Sequence, residues 1–417
     1  MTVDAPYLLV LFSVPYYVGT DGGRYIDPLW AKDLVEHARY LPKLTVAAPL
    51  SSLQPPENAV CIDSVPELRG IGRVELPQAR RALSLGAHLV TAWRLWGALS
   101  NTAIVHTSVA GGPLPEAWFL LPMLRLRRRF LIIVVESAFW RLEPGETPTA
   151  KRRLRSAVSE WLNRICVERA NLSFFTQQDY MRTLLRKNKA RGFLNEATWI
   201  DDEQVIGEDR LSACIQERRE RVPLSLVFAA RLVPSKGVVP LIQAVIELLE
   251  DGLNLTLDVY GEGPCREQCE HLVMNARVSR SIRIHGSVPY GTQFFDALRS
   301  HDLLVVPNVT DEQPRIVYDA YSQGLPVLAA DTAGLRQCVT QGETGTFFSV
   351  TDWSAMKASI AAHAVNRECL PPMARAAVKR ARLKTHRHMH SERSARIVSA
   401  FDEWHAGQRP GAHSPSS

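Results

Sequence analysis

Long hydrophobic runs are missing from this sequence. No stretch of the 417 residues approaches the roughly 20 consecutive apolar residues that a membrane-spanning helix needs. The first residues contain no basic segment ahead of the apolar run 7–14, which favours a buried strand over a secretory signal peptide. We therefore expect a globular protein of the cytoplasm, in which 46% hydrophobic residues suffice for sizeable cores.

Cysteine is scarce as well. The seven cysteines are an odd number without regular spacing, which favours free thiols in a reducing compartment over a disulfide framework. Cys265 and Cys269 lie near His271, but their spacing fits no common zinc pattern and indicates ordinary buried thiols. No acidic DxD segment in a convincing loop offers a site for a catalytic metal. The sequence therefore predicts no metal site and no cofactor.

Positive charge is present in modest excess, and its distribution is uneven. The net charge is +6, and basic residues cluster in the N-terminal half at 125–129, 151–155 and 182–191. A set of solvated surfaces is the simplest interpretation, and contact with an anionic membrane is the second. No basic ribbon with interleaved aromatic residues and no helix-turn-helix pattern supports a nucleic-acid partner.

Segments with strand and helix periodicity alternate along the chain, which is typical of doubly wound parallel sheets of the α/β class. Strands are predicted from Leu8 up to Thr176, and the alternation restarts at Leu226. The polar segment 203–222 between these sets is interpreted as a connection between domains. We predict an N-terminal Rossmann-like domain over 1–203, a C-terminal one over 204–390, a helix over 391–405 and a disordered tail over 406–417.

An ordered set of motifs between residues 226 and 350 carries the strongest functional signal. Each motif lies where a predicted parallel strand ends, and ligands of open α/β sheets collect at that edge. The motifs are Arg231 with Lys236-Gly237, Gly261-Glu-Gly263, His285-Gly286 and the segment from Asp311 to Asp319. Two cations, several glycines at strand ends and two carboxylates together indicate a binding site.

The chemistry of these residues suits an anionic nucleotide sugar. Arg231 offers a planar fork and Lys236 a point charge, and both fit phosphate oxygens whose charge grows as a glycosidic bond breaks. Gly261 and Gly263 allow the backbone to approach a base or a phosphate closely.

The segment after the fourth strand adds acids and a helix start. A helix is predicted to begin at Pro314, so that the free N–H groups near Pro314, Arg315 and Ile316 would face the phosphates. Asp311 precedes this helix and is placed to accept hydrogen bonds from hydroxyls of the donor sugar. Asp319 lies within the helix, within reach of a ribose diol, whose two hydroxyls a carboxylate can accept together.

The segments Arg231–Gly237, Gly261–Pro264 and Asp311–Asp319, the last followed by Gly324-Leu-Pro-Val, resemble the RLxxxKG, GxGP and Ex7E motifs of glycosyltransferase family 4. The resemblance implies the GT-B fold, in which two Rossmann-like domains face each other across a cleft and the last helix crosses back to the N-terminal domain. It also implies metal-independent transfer of a hexosyl group from a nucleotide-diphosphate sugar with retention of configuration. This chain departs from the family in having Asp, one methylene shorter, where Glu is usual at both ends of the box.

The N-terminal half resembles the family less specifically. Gly22 and Gly23 match a glycine loop that approaches the diphosphate and the acceptor, although a mobile loop explains these glycines equally well. His106 ends a predicted strand where the family often has HxH, and Ser108 replaces the second histidine. The three histidines near the C-terminus, His386, His388 and His390, are interpreted as surface residues.

The sequence thus predicts a retaining glycosyltransferase in which Arg231, Lys236 and Asp311 are catalytic. The acceptor would be a glycan or a lipid-linked molecule in bacterial polysaccharide assembly, and the enzyme would be cytoplasmic with peripheral contact to the membrane. Two alternatives stay open. Another GT-B activity, such as an epimerase or a phosphorylase, would share the fold. A non-catalytic binding or scaffold protein is favoured by the double-Asp box and the missing second histidine.

Overall fold

The structure is a computed structural model, and it describes residues 2–78, 85–109, 116–142 and 146–408. The chain divides into two compact units. The first contains residues up to Glu196 together with the C-terminal segment from Met389, and the second contains Ala197–His388. Residues 409–417 of the predicted disordered tail lie outside the described residues.

Parallel strands form the main sheet of the first unit, in the order β10-β9-β8-β7-β1-β4-β6, and a small antiparallel sheet has the order β2-β3-β5. The strands are β1 (Tyr7–Val10), β2 (Tyr17–Val18), β3 (Arg24–Ile26), β4 (Leu44–Leu50), β5 (Val60–Cys61), β6 (Gly72–Pro77), β7 (Ile104–Ser108), β8 (Phe130–Val135), β9 (Leu172–Phe175) and β10 (Gly192–Leu194).

Helices cover both faces of this main sheet. They are α1 (Pro28–Tyr40), α2 (Leu85–Ala98), α3 (Glu116–Arg127), α4 (Ala150–Arg169) and α5 (Gln178–Leu184), joined by the C-terminal α14 (His386–Ala406). One core, on one face, contains Leu95 of α2, Leu120 of α3 and Cys166 of α4. The other core contains Leu34 of α1 and Ile397 of α14. The sheet is therefore buried between two helical layers, as the apolar sequence of β8 requires.

The second unit repeats this architecture with a six-stranded sheet in the order β13-β12-β11-β14-β15-β16, and all its strand pairs are parallel. Its strands are β11 (Leu224–Ala229), β12 (Leu255–Tyr260), β13 (Ile282–Ile284), β14 (Leu303–Val306), β15 (Val327–Ala330) and β16 (Gly345–Phe348). Its helices are α6 (Glu208–Glu220), α7 (Val238–Glu250), α8 (Arg266–Asn275), α9 (Thr292–Arg299), α10 (Ile316–Ser322), α11 (Ala333–Cys338), α12 (Trp353–Val365) and α13 (Leu370–Arg382).

The interpretation of segment 203–222 as a plain connection is wrong, because α6 occupies most of it. A narrow stripe of this charged helix is buried, at Leu211, Cys214, Ile215 and Arg218. Its three buried apolar residues, Leu211, Cys214 and Ile215, pack with Ala374 and Val378 of α13. Three apolar positions in a charged segment give only a weak periodic signal, so the local sequence does not predict this helix.

Two further expectations are corrected. Helix α10 begins at Ile316 and not at Pro314, because the Val317 N–H binds the Pro314 carbonyl in a tighter three-residue turn (3.2 Å) that precedes the α-helical hydrogen bonds. Of the three C-terminal histidines, His388 is exposed, but His386 and His390 are buried with exposures of 1% and 2%. The charged residues next to these histidines in the sequence favour a surface position, so the sequence does not predict that one face of α14 is buried.

Within the described part of the chain, every helix is too short or too polar to cross a membrane.

Candidate functional site

A cavity of about 360 Å³ lies at the carboxyl ends of β11 and β14 in the second unit. Parallel strands present their carboxyl ends to ligands in open α/β sheets, so this cavity occupies the expected edge. It is lined by both predicted cations, by the start of α10 and by one acid of the box: Arg231, Lys236, Pro314, Arg315, Ile316 and Asp319. Six of the predicted site residues therefore lie around one space.

Two cations of this cavity differ in their surroundings. The Lys236 ammonium lies 3.0 Å from a carboxylate oxygen of Glu312, and this lysine side chain is only 12% exposed. Arg231 is exposed, and its guanidinium forms no ion pair or hydrogen bond with any residue that the structure describes. One cation is thus already neutralised by an acid that also lines the cavity, and the other is available to an anion.

Arg315 provides a third positive charge next to the same space. Its guanidinium carbon lies 5.6 Å from the centre of the Trp199 ring, a cation–π contact that restricts the long side chain. Gln313, two residues earlier, exchanges hydrogen bonds with the backbone of Ala197 in both directions, at 3.1 and 3.2 Å. These contacts fix the loop that precedes α10.

The carboxylate of Asp319 is held inside the site. Asp319 is 6% exposed, and the Tyr290 hydroxyl donates a hydrogen bond of 2.9 Å to its Oδ1. Burial, followed by the charge of Asp319, raises the pKa of Tyr290 well above its usual value, so Tyr290 stays a donor at neutral pH. The hydrogen bond orients the carboxylate within the cavity lining.

The carboxylate of Asp311 has a different position. Its side chain is exposed, and Oδ1 accepts the Ala333 N–H at 3.1 Å, at the first residue of α11. Asp311 is absent from the described lining of the cavity, whereas the adjacent Glu312 belongs to it. The two acids of the box therefore lie in different environments.

The strand-end glycines allow two loops to pack closely. A Cβ on Gly261 would lie 2.0 Å from the Ala230 carbonyl oxygen, and a Cβ on Gly263 would lie 2.4 Å from that of Leu232. Both glycines also have positive φ, at 140° and 155°, which other residues rarely adopt. Gly261 and Gly263 thereby seat the loop after β12 against the Arg231 loop.

Gly237 has a comparable explanation. Its φ is 70°, and a Cβ there would lie 2.3 Å from the Pro307 carbonyl oxygen. The turn that carries Lys236 is consequently pressed against the end of β14, and this contact sets the position of the lysine.

The third strand end holds a cluster of ionisable groups. Asp258 accepts hydrogen bonds from His285 (2.7 Å), His301 (2.9 Å) and Arg283 (2.7 Å), and the His285 ring stacks on Tyr260. Burial raises the pKa of Asp258, but these hydrogen bonds outweigh it and hold the pKa well below its usual value. Asp258 is therefore a carboxylate that anchors His285 at the sheet edge.

The residues of the first unit that are predicted to bind substrate, Gly22, Gly23 and His106, lie in a turn or in the buried core. Gly22 has a φ of 76° in the turn between β2 and β3, where the Gly23 N–H donates to Asp21. His106 is 4% exposed, and its Nδ1 shares a 2.8 Å hydrogen bond with the Tyr7 hydroxyl. Burial holds the pKa of His106 well below its usual value. Acceptor contacts for these three residues stay predictions.

Sequence reasoning missed three residues of the site: Glu312, Tyr290 and Trp199. Glu312 directly follows Asp311 inside the box, so the sequence itself shows a further acid at this place. Nothing in the local sequence marks Tyr290 or Trp199, because only the fold brings them to Asp319 and Arg315.

Residues 223–365 match the family described as "Glycosyl transferases group 1". This match spans the cavity and all the strand-end motifs. Residues 223–365 form a group 1 glycosyl transferase domain. The resemblance to glycosyltransferases, which the strand-end motifs indicate, is thereby confirmed.

Relatives of known name match part of the chain. A D-inositol 3-phosphate glycosyltransferase of Corynebacterium efficiens is 34% identical over 149 residues, which are 33% of this chain and 34% of the relative. An alpha-D-kanosaminyltransferase of Streptomyces kanamyceticus is 23% identical over 205 residues, 47% of this chain and 52% of the relative. The matches thus span about a third to a half of these relatives.

Solved structures resemble the chain over nearly its whole length. Anabaena HepE in complex with UDP has a TM-score of 0.67 at 14% identity, covering 96% of this chain and 100% of HepE. Sucrose-phosphate synthase from Thermosynechococcus elongatus has a TM-score of 0.69 at 14% identity, again covering 96% and 100%. At this identity the likeness establishes the fold, and it confirms the prediction of two Rossmann-like parallel-sheet units of the GT-B type.

Proposed function

We propose that this protein is a retaining glycosyltransferase that uses a nucleotide-diphosphate sugar as donor. One observation carries the proposal: Arg231, Lys236 and Asp319 converge on a single cavity at the strand ends of the group 1 domain. A bound diphosphate is stabilised by cations, and the hydroxyls of a ribose donate hydrogen bonds to a carboxylate. This cavity offers both kinds of group.

The cations would act on the leaving group. As the bond from sugar to phosphate breaks, negative charge accumulates on the diphosphate, and the adjacent guanidinium and ammonium stabilise that charge more strongly than they stabilise the ground state. The leaving phosphate oxygen takes the proton of the acceptor hydroxyl while the acceptor oxygen bonds to the anomeric carbon on the face that the phosphate leaves, which accounts for retention.

Glu312 adds a condition to this step. Its carboxylate neutralises Lys236 at 3.0 Å, so an incoming diphosphate has to share or replace that contact. Arg231, whose guanidinium is unpaired among the described residues, would meet the diphosphate first. The acids Asp311 and Asp319 would then contact the sugar and the ribose.

We extend the proposal to a glycan or lipid-linked acceptor in bacterial polysaccharide assembly, at the cytoplasmic side of the membrane. A D-inositol 3-phosphate glycosyltransferase and a glycogen synthase among the named relatives support the transfer of a sugar. UDP is the first nucleotide to test, because similar solved structures hold UDP and UDP-glucose.

The decisive experiment measures nucleotide binding by Lys236→Ala. A ligand that binds only the folded protein raises its melting temperature, so UDP, GDP and ADP are compared by thermal shift and the best binder by calorimetry. We expect Lys236→Ala to weaken diphosphate binding by about tenfold to a hundredfold, since hydrogen bonds to charged groups contribute roughly 1.5–3 kcal/mol.

Two controls make the result specific. Lys357→Ala removes a lysine of the same unit that also pairs with acids, Glu247 and Asp251, and should leave nucleotide binding unchanged. Lys236→Ala combined with Glu312→Gln removes the repulsion that an unpaired Glu312 would create, and should still bind weakly. Wild-type binding by either Lys236 variant, or no melting shift with any nucleoside diphosphate, would contradict the donor-site assignment and favour a non-catalytic protein.

A further inference from the structure

Helix α2 exposes large apolar side chains to solvent. Leu89 and Trp93 are 71% and 74% exposed, and Val90 and Trp96 are 40% and 38% exposed, whereas Leu95 faces the core. His88 and Arg94 are the only titratable residues in this helix. Contiguous exposed apolar surface of this kind marks an interaction site.

Helix α4 has two apolar faces instead of one. Its inner face buries Leu162, Cys166 and Val167. On the outside, Leu154, Val158 and Trp161 are 67%, 43% and 57% exposed, at spacings of four and three residues that place them on one side of a helix. The core of the first unit accounts for the inner face only.

These two helices belong to one layer. Leu95 of α2 and Cys166 of α4 enter the same core, together with Leu120 of the intervening α3. Arg127 of α3 lies over the Trp96 ring at 4.2 Å, and Trp118 of α3 contacts Trp161, with ring centres 6.5 Å apart. The exposed apolar residues of α2 and α4 therefore share one side of the first unit.

Positive charge accompanies this surface. Arg125 and Arg128 at the end of α3, and Lys151, Arg153 and Arg155 at the start of α4, are exposed. Within the described ranges, none of these five side chains forms an ion pair. The sequences of α2 and α3 contain a single acid, Glu116.

We infer that the outer surface of α2 and α4 docks on an anionic lipid bilayer. Tryptophan and leucine side chains enter the interface between headgroups and acyl chains, and arginine and lysine side chains extend their charges to the lipid phosphates. A second copy of this chain is a poorer occupant, because an isologous contact would bring two uncompensated positive surfaces together. This inference specifies the surface for the membrane contact proposed above and does not depend on glycosyl transfer.

Vesicle co-sedimentation of the full chain tests the inference. Vesicles of phosphatidylcholine with phosphatidylglycerol should bind the protein, and neutral phosphatidylcholine vesicles should bind it far less. Raising the salt from about 0.1 M to about 1 M shortens the Debye length from about 10 Å to about 3 Å and should weaken binding. Leu89→Ser with Trp93→Ser should lower the partition coefficient at least about tenfold, given the apolar area that these residues would bury.

Matched variants separate the docking surface from general effects. Met274→Ser with Leu383→Ser alters two residues of the second unit that are 62% and 59% exposed and should bind vesicles like the wild type. Lys151→Gln with Arg153→Gln should weaken binding about fivefold or more per charge, whereas Arg280→Gln with Arg382→Gln should not.

Three outcomes would overturn the inference. They are equal binding to neutral and anionic vesicles, unchanged binding by the Leu89 and Trp93 variant, and a concentration-dependent dimer that this variant abolishes while vesicles stay unbound. Nucleotide-induced melting shifts need no vesicles and vesicle binding needs no nucleotide, so failure here is distinguishable from failure of the proposed glycosyl transfer.

Discussion

Asp311 and Asp319 differ in the groups that already contact them. The Asp319 carboxylate is buried and accepts a hydrogen bond from the Tyr290 hydroxyl. The Asp311 carboxylate is exposed and accepts a hydrogen bond from the Ala333 N–H. Asparagine at position 311 could still accept that N–H through its amide oxygen, so Asp311→Asn removes the charge without removing the contact to α11. Asp311→Ala removes both.

We predict that Asp311→Asn lowers turnover by about a hundredfold, the usual scale for losing one group that interacts with the reacting centre. Nucleoside diphosphate affinity should change little. Asp319→Asn should instead weaken donor affinity with a smaller loss of turnover, because ribose binding is similar in the ground and transition states. Steady-state kinetics together with calorimetry measure both effects. An Asp311→Asn enzyme as active as wild type, with loss confined to Asp311→Ala, would assign Asp311 to holding the loop.

At the scale of single elements, helix α14 is attached to the first unit through buried ionisable groups. His390 is 2% exposed, and its ring binds the Asp33 carboxylate at 3.0 Å and the Tyr40 hydroxyl at 3.3 Å. His37 and Arg393 also face it. Burial lowers the pKa of His390 to about 3, against the opposing effect of Asp33.

This depressed pKa predicts that stability falls in mild acid. In the unfolded chain His390 binds a proton below about pH 6.5, whereas in the folded chain it does so only near pH 3. The contribution of His390 to the free energy of unfolding is therefore complete above about pH 6.5 and declines as the pH falls below that value. Between pH 7.5 and pH 5 the loss at this residue is roughly 2 kcal/mol. Asp258, whose depressed pKa matters only below about pH 4, adds nothing in this interval.

Thermal unfolding at these two pH values checks the prediction. His390→Gln can still form hydrogen bonds but does not titrate, so its melting temperature should fall less than that of the wild type on acidification. An equal fall in both proteins would assign the acid sensitivity to other groups, including His106, whose pKa burial also lowers.

At the scale of the whole molecule, the cations of the cavity should replace a metal ion. Arg231 and Lys236 supply positive charge where a diphosphate would leave, so donor hydrolysis and transfer should persist in EDTA. The glycoside product should keep the anomeric configuration of the donor, which proton NMR coupling constants report. Loss of activity in EDTA with recovery on adding Mg²⁺, or an inverted product, would contradict the mechanism.

Local sequence determined much of the second unit. Each strand-end motif contains the residues that its position requires: glycines where a neighbouring backbone leaves no room for a Cβ, as at Gly237 and Gly261, and cations where strands end. Alternating apolar segments sufficed to predict two parallel sheets, because strands buried on both faces are apolar throughout. Such signals are contained within a few residues of the chain.

The tertiary structure alone decided which residues share a space. Glu312 pairs with Lys236 across 76 positions of sequence, and Tyr290 reaches Asp319 across 29, so no local pattern records either contact. His390 illustrates the same limit, since only its packing against α1 shows that it is buried. Likewise, only the fold shows that Leu95 of α2 is buried in the core whereas Leu89 and Trp93 of the same helix are exposed. Periodicity identifies which residues of a helix share a side, but burial depends on the elements that the fold places next to it.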